Sequence, residues 1–193
     1  MRRLIVFDCD GTLVDSQDAI ASAMGAAFRA AGRRAPARAE TLSIVGLSLP
    51  QAIARLAPSA TIDDQLGLVE GYRREAALLR ARRSEDPLFP GIDAVIAQLS
   101  KRDDVVLGIA TGKSRRGVDR LLAHHGWAGL FATLQTADDN PSKPHPGMLE
   151  RAMAETGFEP AGTLMIGDTS FDMEIDRKST RLNSSHSSVS RMP

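Results

Sequence analysis

Cysteine is nearly absent from this 193-residue chain: Cys9 stands alone, so no intramolecular disulfide can form and nothing points to an oxidising compartment. Aromatic residues are scarce as well, at 4%, with a single Tyr72 and a single Trp127. Long hydrophobic runs are missing. The apolar stretch behind Arg2 and Arg3 stops at Asp8, far short of a secretory signal core or a membrane span. Net charge is zero, with 24 basic and 24 acidic residues, which gives no footing for a nucleic-acid or membrane partner. The balance is uneven, however. Residues 177–193 hold Arg177, Lys178, Arg181 and Arg191 and no acid, and the remainder has 20 basic against 24 acidic residues, a net −4. These features fit a cytoplasmic protein, with a monomer as the expected state.

What is present is a repeated alternation. Leu4 to Phe7, Val105 to Ala110 and Thr163 to Ile166 are short continuous apolar runs, as expected of strands buried on both faces, and Phe131 to Gln135 is a weaker fourth. Between them lie helix-period segments: Ile92, Val95, Ile96 and Leu99; Val118, Leu121, Leu122 and His125; Met148, Leu149, Ala152 and Met153. Strands alternating with helices predict a doubly wound parallel α/β sheet. In such sheets ligands bind beyond the carboxyl ends of the strands. Each run here ends in a polar cluster: Asp8–Asp10, Thr111–Ser114, Asp138–Lys143 and Gly167–Asp172. The clusters are therefore expected to converge.

Residues 16–84 interrupt the alternation with amphipathic helical patterns and predict a helical cap, closed by the Pro/Gly-punctuated hinge Asp86–Gly91. The core is then discontinuous, 1–15 and 85–176. After Asp176 the chain has six serines and no apolar period, so 177–193 is expected to be a disordered tail, foreign to the fold. That reading leaves the C-terminal end of the core missing and one sheet edge uncovered.

The run Phe7-Asp8-Cys9-Asp10-Gly11-Thr12-Leu13-Val14-Asp15-Ser16 resembles the first motif of the haloacid-dehalogenase-like superfamily. Thr111 with Gly112 resembles the second motif, Lys143 in Ser142-Lys143-Pro144 the third, and Gly167-Asp168-Thr169-Ser170-Phe171-Asp172 the fourth. Alone, each is weak: a threonine after a strand usually caps a helix, and a lone lysine is usually solvated. Together and in order they resemble the phosphoglycolate-phosphatase-like branch with a helical cap and a Rossmann-like core.

That resemblance implies a magnesium-dependent phosphatase acting on a small phosphorylated metabolite through an aspartyl-phosphate. Asp8 would be the nucleophile and Asp10 the acid/base. Mg²⁺ would be held by Asp8, the Asp10 carbonyl and Asp168, with Asp172 in the outer shell. Thr111, Gly112 and Lys143 would hold the phosphoryl group. The chemistry suits the residue types, because a carboxylate is anionic at neutral pH and a hard cation offsets its repulsion from phosphate. Lys113 is a further phosphate-contact candidate, although an exposed lysine is the ordinary expectation. Arg33, Arg34, Arg73 and Arg74 read as solvated charges, and Cys9, Tyr72 and Trp127 as packing residues. Three alternatives remain: a dehalogenase of the same fold, against which Asp10 argues because that chemistry does not need the second aspartate as acid/base; a sugar phosphomutase, disfavoured because Ile20 stands where that pattern has a histidine; and an inactive fragment.

Overall fold

The computed structural model describes residues 2–82 and 86–186, with side chains through Ser179. Four parallel strands form one sheet: β1 (Arg3–Phe7), β2 (Val105–Ala110), β3 (Phe131–Gln135) and β4 (Thr163–Ile166), in the order β3-β2-β1-β4. The first strand is central. Leu4 lies opposite Val106 on one side and Thr163 on the other, and Phe7 opposite Ile109 and Ile166. A strand between two neighbours needs apolar side chains on both faces, which explains its unbroken apolar run.

Helices cover both faces. On one, α5 (Ile92–Leu99) and α6 (Arg115–His124) pack Ile96, Val118 and Leu121 against Phe7, Leu107 and Ile109, together with Cys9 and Trp127. On the other, α7 (Gly147–Thr156) and α8 (Ser170–His186) pack Met148, Leu149, Met153 and Ile175 against Leu4, Val6 and Met165.

The cap consists of α1 (Gln17–Ala30), α2 (Arg38–Leu42), α3 (Leu49–Leu56) and α4 (Ile62–Arg82). It is not helical throughout, since 31–37 and 43–48 form connecting loops. It has its own apolar cluster around Met24, Phe28, Ile53, Leu68 and Val69. The two chain crossings between cap and core lie side by side: Asp15 N–H donates to the Pro87 carbonyl (2.8 Å), and Phe89 N–H to that of Leu13 (3.1 Å). The expected cap end at 84 lies outside the described residues.

The expectation that order ends at Asp176 is corrected. α8 continues through His186, and only 187–193 of the expected tail lies outside the described residues. The sequence argument required apolar residues at helical spacing throughout the segment. A helix already anchored by the fully buried Ile175 extends at little cost, because nucleation is the expensive step and Arg, Lys and Leu are good helix formers. Lys178 adds a hydrogen bond to the Pro144 carbonyl (3.2 Å) and a contact with Glu174 (3.1 Å), and Ser179 is buried. Among the described residues, no helix is long and apolar enough to cross a membrane.

Candidate active site

The strand ends do converge. Asp8 follows β1 immediately and is fully buried; its N–H donates to the Ile166 carbonyl (2.9 Å), fixing it between β1 and β4. Its Oδ1 accepts from Cys9 N–H (2.7 Å). Its Oδ2 lies 3.0 Å from Lys143 Nζ, within ion-pair range, yet is not aligned for a hydrogen bond with any described residue. Burial pushes the Asp8 carboxyl up to about 6; Lys143 pulls it down and Asp172 pushes it up, so burial prevails.

Lys143 is the largest fully buried side chain, placed there by the loop before α7. It pairs with Asp8 and, at 2.5 Å, with Asp172. Burial alone would depress its pKa, but the two carboxylates raise it, so it stays charged. The remaining capacity of Asp172 is taken by Thr169, whose N–H (3.1 Å) and hydroxyl (2.7 Å) both donate to Oδ2. Asp168 is more exposed and accepts from the Thr12 hydroxyl (3.0 Å); partial burial raises its pKa. Gly11, at φ +87°, makes this approach possible, because a Cβ there would land inside the Asp168 carboxylate.

Oxygens of Asp8, Asp168 and Asp172 lie within 4.8 Å of one another. Lys143 pairs with two of the three carboxylates, Asp8 and Asp172, and a buried Asp8 oxygen lacks a hydrogen bond. Oxygen donors with surplus negative charge fit a hard divalent cation. Asp8 and Asp168 have oxygens to offer it. Asp172 is committed to Lys143 and Thr169, which suits the supporting position expected of it.

Thr111 is fully buried at the end of β2; its N–H donates to the Gln135 carbonyl (3.0 Å) and its hydroxyl accepts from Lys113 N–H (3.2 Å). Gly112 is overlain by the cap, since a Cβ there would strike the Leu47 carbonyl and stand 2.7 Å from that of Gly46. The Ser142 hydroxyl accepts from Ser48 N–H (2.8 Å), a second cap–core contact.

Lys113 corrects the ordinary expectation for a lysine. It is largely buried, and its Nζ is 2.7 Å from Asp10 Oδ1. The hydroxyl of Ser16, a residue the sequence reading passed over, donates to the same oxygen (2.6 Å). Thr12, Thr169 and Ser142 were also missed, although all lie inside or beside the quoted motifs. Tyr72 packs on the cap cluster as expected, and burial, with the Asp10 charge, pushes its phenol up to about 12. The cap arginines behave as surface charges: Arg33 pairs with Asp64, Arg34 with Glu40 and Arg73 with Glu70. Cys9 is fully buried, and burial and the Asp8 charge push its thiol up to about 12, which disfavours the thiolate.

Residues 5–180 match the family model described as haloacid dehalogenase-like hydrolase. A protein of Dickeya dadantii named "Probable phosphatase IndB" is 32% identical over 178 residues, which cover 90% of this chain and 76% of that protein. A phosphoglycolate phosphatase of Vibrio cholerae is 31% identical over 179 residues, 89% of this chain and 78% of its own length. Among solved structures, a haloacid dehalogenase-like hydrolase of Bacteroides fragilis superposes with a TM-score of 0.84 at 22% identity, over 93% of this chain and 85% of that one. At that identity the likeness shows the fold.

Proposed function

The chain belongs to the haloacid dehalogenase-like hydrolase family and is a phosphoric monoester hydrolase, and on that premise we propose the reaction its site performs. The substrate is a small phosphorylated metabolite of the phosphoglycolate type, cleaved with Mg²⁺ through a phosphorylated Asp8. The observation that carries the reading is the buried Asp8 at the tip of the central strand, with Lys143 at 3.0 Å and one oxygen left without a hydrogen bond. Relatives named phosphoglycolate phosphatase support the substrate class.

Asp8 attacks phosphorus while the ester oxygen leaves with a proton from Asp10. Lys143, the Thr111 hydroxyl and the Gly112 N–H hold the phosphoryl oxygens, and their donors lie in a site from which the cap excludes water. Lys143 also keeps Asp8 charged and aimed. Asp8, the Asp10 carbonyl and Asp168 would hold the cation, whose contribution is to screen the repulsion between the carboxylate and the phosphate dianion. Asp172 orients Lys143 from behind. Water then attacks phosphorus with Asp10 as base, freeing Asp8.

Asp8→Asn tests the assignment. It should cut turnover more than about a hundredfold, roughly 2.7 kcal/mol of barrier, with circular dichroism unchanged. A folded variant that retains more than about a hundredth of parental turnover would remove Asp8 as nucleophile.

A further inference from the structure

We propose that Ser16 and Lys113 are positioning residues that grip the Asp10 carboxylate by Oδ1, leaving Oδ2 as the atom that moves the proton. The inference rests on the phosphatase reading above and assigns roles within that site that sequence motifs do not distinguish.

The grip is two-sided. Lys113 Nζ reaches Asp10 Oδ1 at 2.7 Å from the loop after β2, and Ser16 Oγ reaches the same oxygen at 2.6 Å from the start of the cap. Among the described residues, Oδ2 accepts no hydrogen bond. A carboxylate bonded through one oxygen by two donors presents the other oxygen in a fixed direction, and such orientation is what an acid/base residue requires.

Ser16 shows a local departure from ordinary helix chemistry. It occupies the N-cap of α1, where a serine hydroxyl usually accepts from a backbone N–H of the first turn. Here it makes no such bond; it is 1% exposed and its hydroxyl is turned to Asp10. The helix forgoes its side-chain cap while the acid/base gains a donor. Local stability alone does not account for that exchange.

Lys113 was a candidate phosphate ligand, but its nearest anion is Asp10. Burial would depress the lysine, and Asp10 more than compensates, so the ammonium remains charged. The pair is sheltered, with 23% of the Lys113 side chain and 13% of the Asp10 side chain exposed. Ser16 directly follows the hinge residue Asp15, whose N–H is tied to Pro87. The acid/base is thus set from the core by Lys113 and from the hinge by Ser16.

The steps balance as follows. The Asp8 oxygen bonds to phosphorus as the phosphorus–ester oxygen bond breaks, and the proton on Asp10 Oδ2 passes to the departing oxygen. A water oxygen then bonds to phosphorus, its proton returns to Oδ2, and the bond to Asp8 breaks to release phosphate.

The test compares kcat/KM for an alkyl phosphate such as phosphoglycolate with that for nitrophenyl phosphate, whose leaving group needs no proton. This parameter covers the steps through leaving-group departure, and any loss of phosphate holding lowers both esters alike and cancels in their ratio. Ser16→Ala and Lys113→Met should each lower the alkyl-to-aryl ratio about tenfold or more, within the range general acid catalysis contributes. Ser16→Thr, which keeps the hydroxyl, should hold the ratio within about twofold of parent, and Lys113→Arg should recover most of it. Circular dichroism and Trp127 fluorescence confirm folding, and if Ser16→Ala or Lys113→Met fails to fold, Ser16→Cys or Lys113→Gln, which also removes the strong donor, takes its place with the same expectation and the same overturning result. Ratios unchanged within about twofold in folded Ser16→Ala and Lys113→Met overturn the grip while leaving the phosphatase standing. A parent chain that cleaves neither ester overturns the phosphatase reading, and the grip with it.

Discussion

Replacing Gly112 with alanine tests whether the cap sits on the phosphate-binding turn as the structure has it. The added Cβ would meet the Leu47 carbonyl and lie 2.7 Å from the Gly46 carbonyl, where ordinary contact begins near 3.4 Å. Both obstacles are backbone, so no side chain can swing aside. The cap loop must retreat by at least the difference, 0.7 Å, and further to clear Leu47. Alanine keeps the amide N–H, and the φ of Gly112 is not in the left-handed region, so the core itself is unstrained. The damage should therefore fall on the closed geometry. A misplacement near 1 Å costs on the order of a hundredfold in rate, about 2.7 kcal/mol, whereas overpacking a rigid core would instead appear as about 1–3 kcal/mol of lost stability. We expect kcat/KM for the metabolite to fall ten- to a hundredfold, with the melting temperature within a few degrees of parent. Vanadate inhibition separates the causes, because it reports the phosphate cradle of the core. A vanadate affinity that falls as far as turnover would place the defect in the cradle, and unchanged turnover would show that the loop does not press on Gly112. Either result refutes the reasoning.

Lys143→Met should destabilise the protein by about 3–5 kcal/mol in urea titration, because it strands two buried carboxylates, Asp8 and Asp172, without their cation. The pH dependence has a fixed sign. Burial raises the folded Asp8 carboxyl from 3.8 to about 6, so the folded chain binds the proton more tightly than the unfolded chain; the metal-free protein should lose about 3 kcal/mol as pH rises from below 4 to above 6. Magnesium competes with that proton, so its stabilising effect in thermal melts should be present at pH 7, fade below about 6, and vanish with chelator. A melting temperature indifferent to magnesium at both pH values would contradict this. Phe171→Ala should loosen the cap, since Phe171 rises from the core between Asp168 and Asp172, packs on the cap cluster and carries Arg55 5.1 Å above its ring. Losing that contact, worth about 1.5–3 kcal/mol, should lower kcat/KM for the metabolite roughly ten- to a hundredfold and leave core stability nearly intact, as read by Trp127 fluorescence.

The core was legible because its signals are local. Leu4 to Phe7 read as a strand from four consecutive residues, and Asp8 and Asp10 follow within three more. The turn glycine, Gly11, is required by a backbone conformation that the neighbouring residues already imply. Asp168 lies in the turn before α8 and Asp172 in its first helical turn, so four residues of chain keep them near one another. Such features depend on spacing, and spacing is what a sequence displays.

What escaped the sequence is a set of side-chain contacts that only the folded chain brings together. Lys113 and Asp10 are 103 positions apart, and Ser48 and Ser142 are 94 apart. A lysine with no visible acid nearby reads as solvated, because most are. Ser16 drew no separate reading, although a serine before a helix usually caps it. Neither residue keeps its ordinary role for one reason: Asp10 accepts from both, from Lys113 on the loop after β2 and from Ser16 at the hinge. The local rule remains a sound prior, and its failure at Ser16 is informative because forgoing a cap costs stability. α8 shows the opposite error, in which the tertiary rule was applied too strictly. Its polar half was denied helix for lack of an apolar face, although the buried Ile175 and the Lys178–Pro144 bond already anchor it. Local preference gave way where function needed a donor, and it prevailed where the helix had been nucleated. Deviations from propensity therefore carry functional weight only where a polar group has been diverted from its usual partner, as at Ser16 and Lys113, and not where a helix simply runs on.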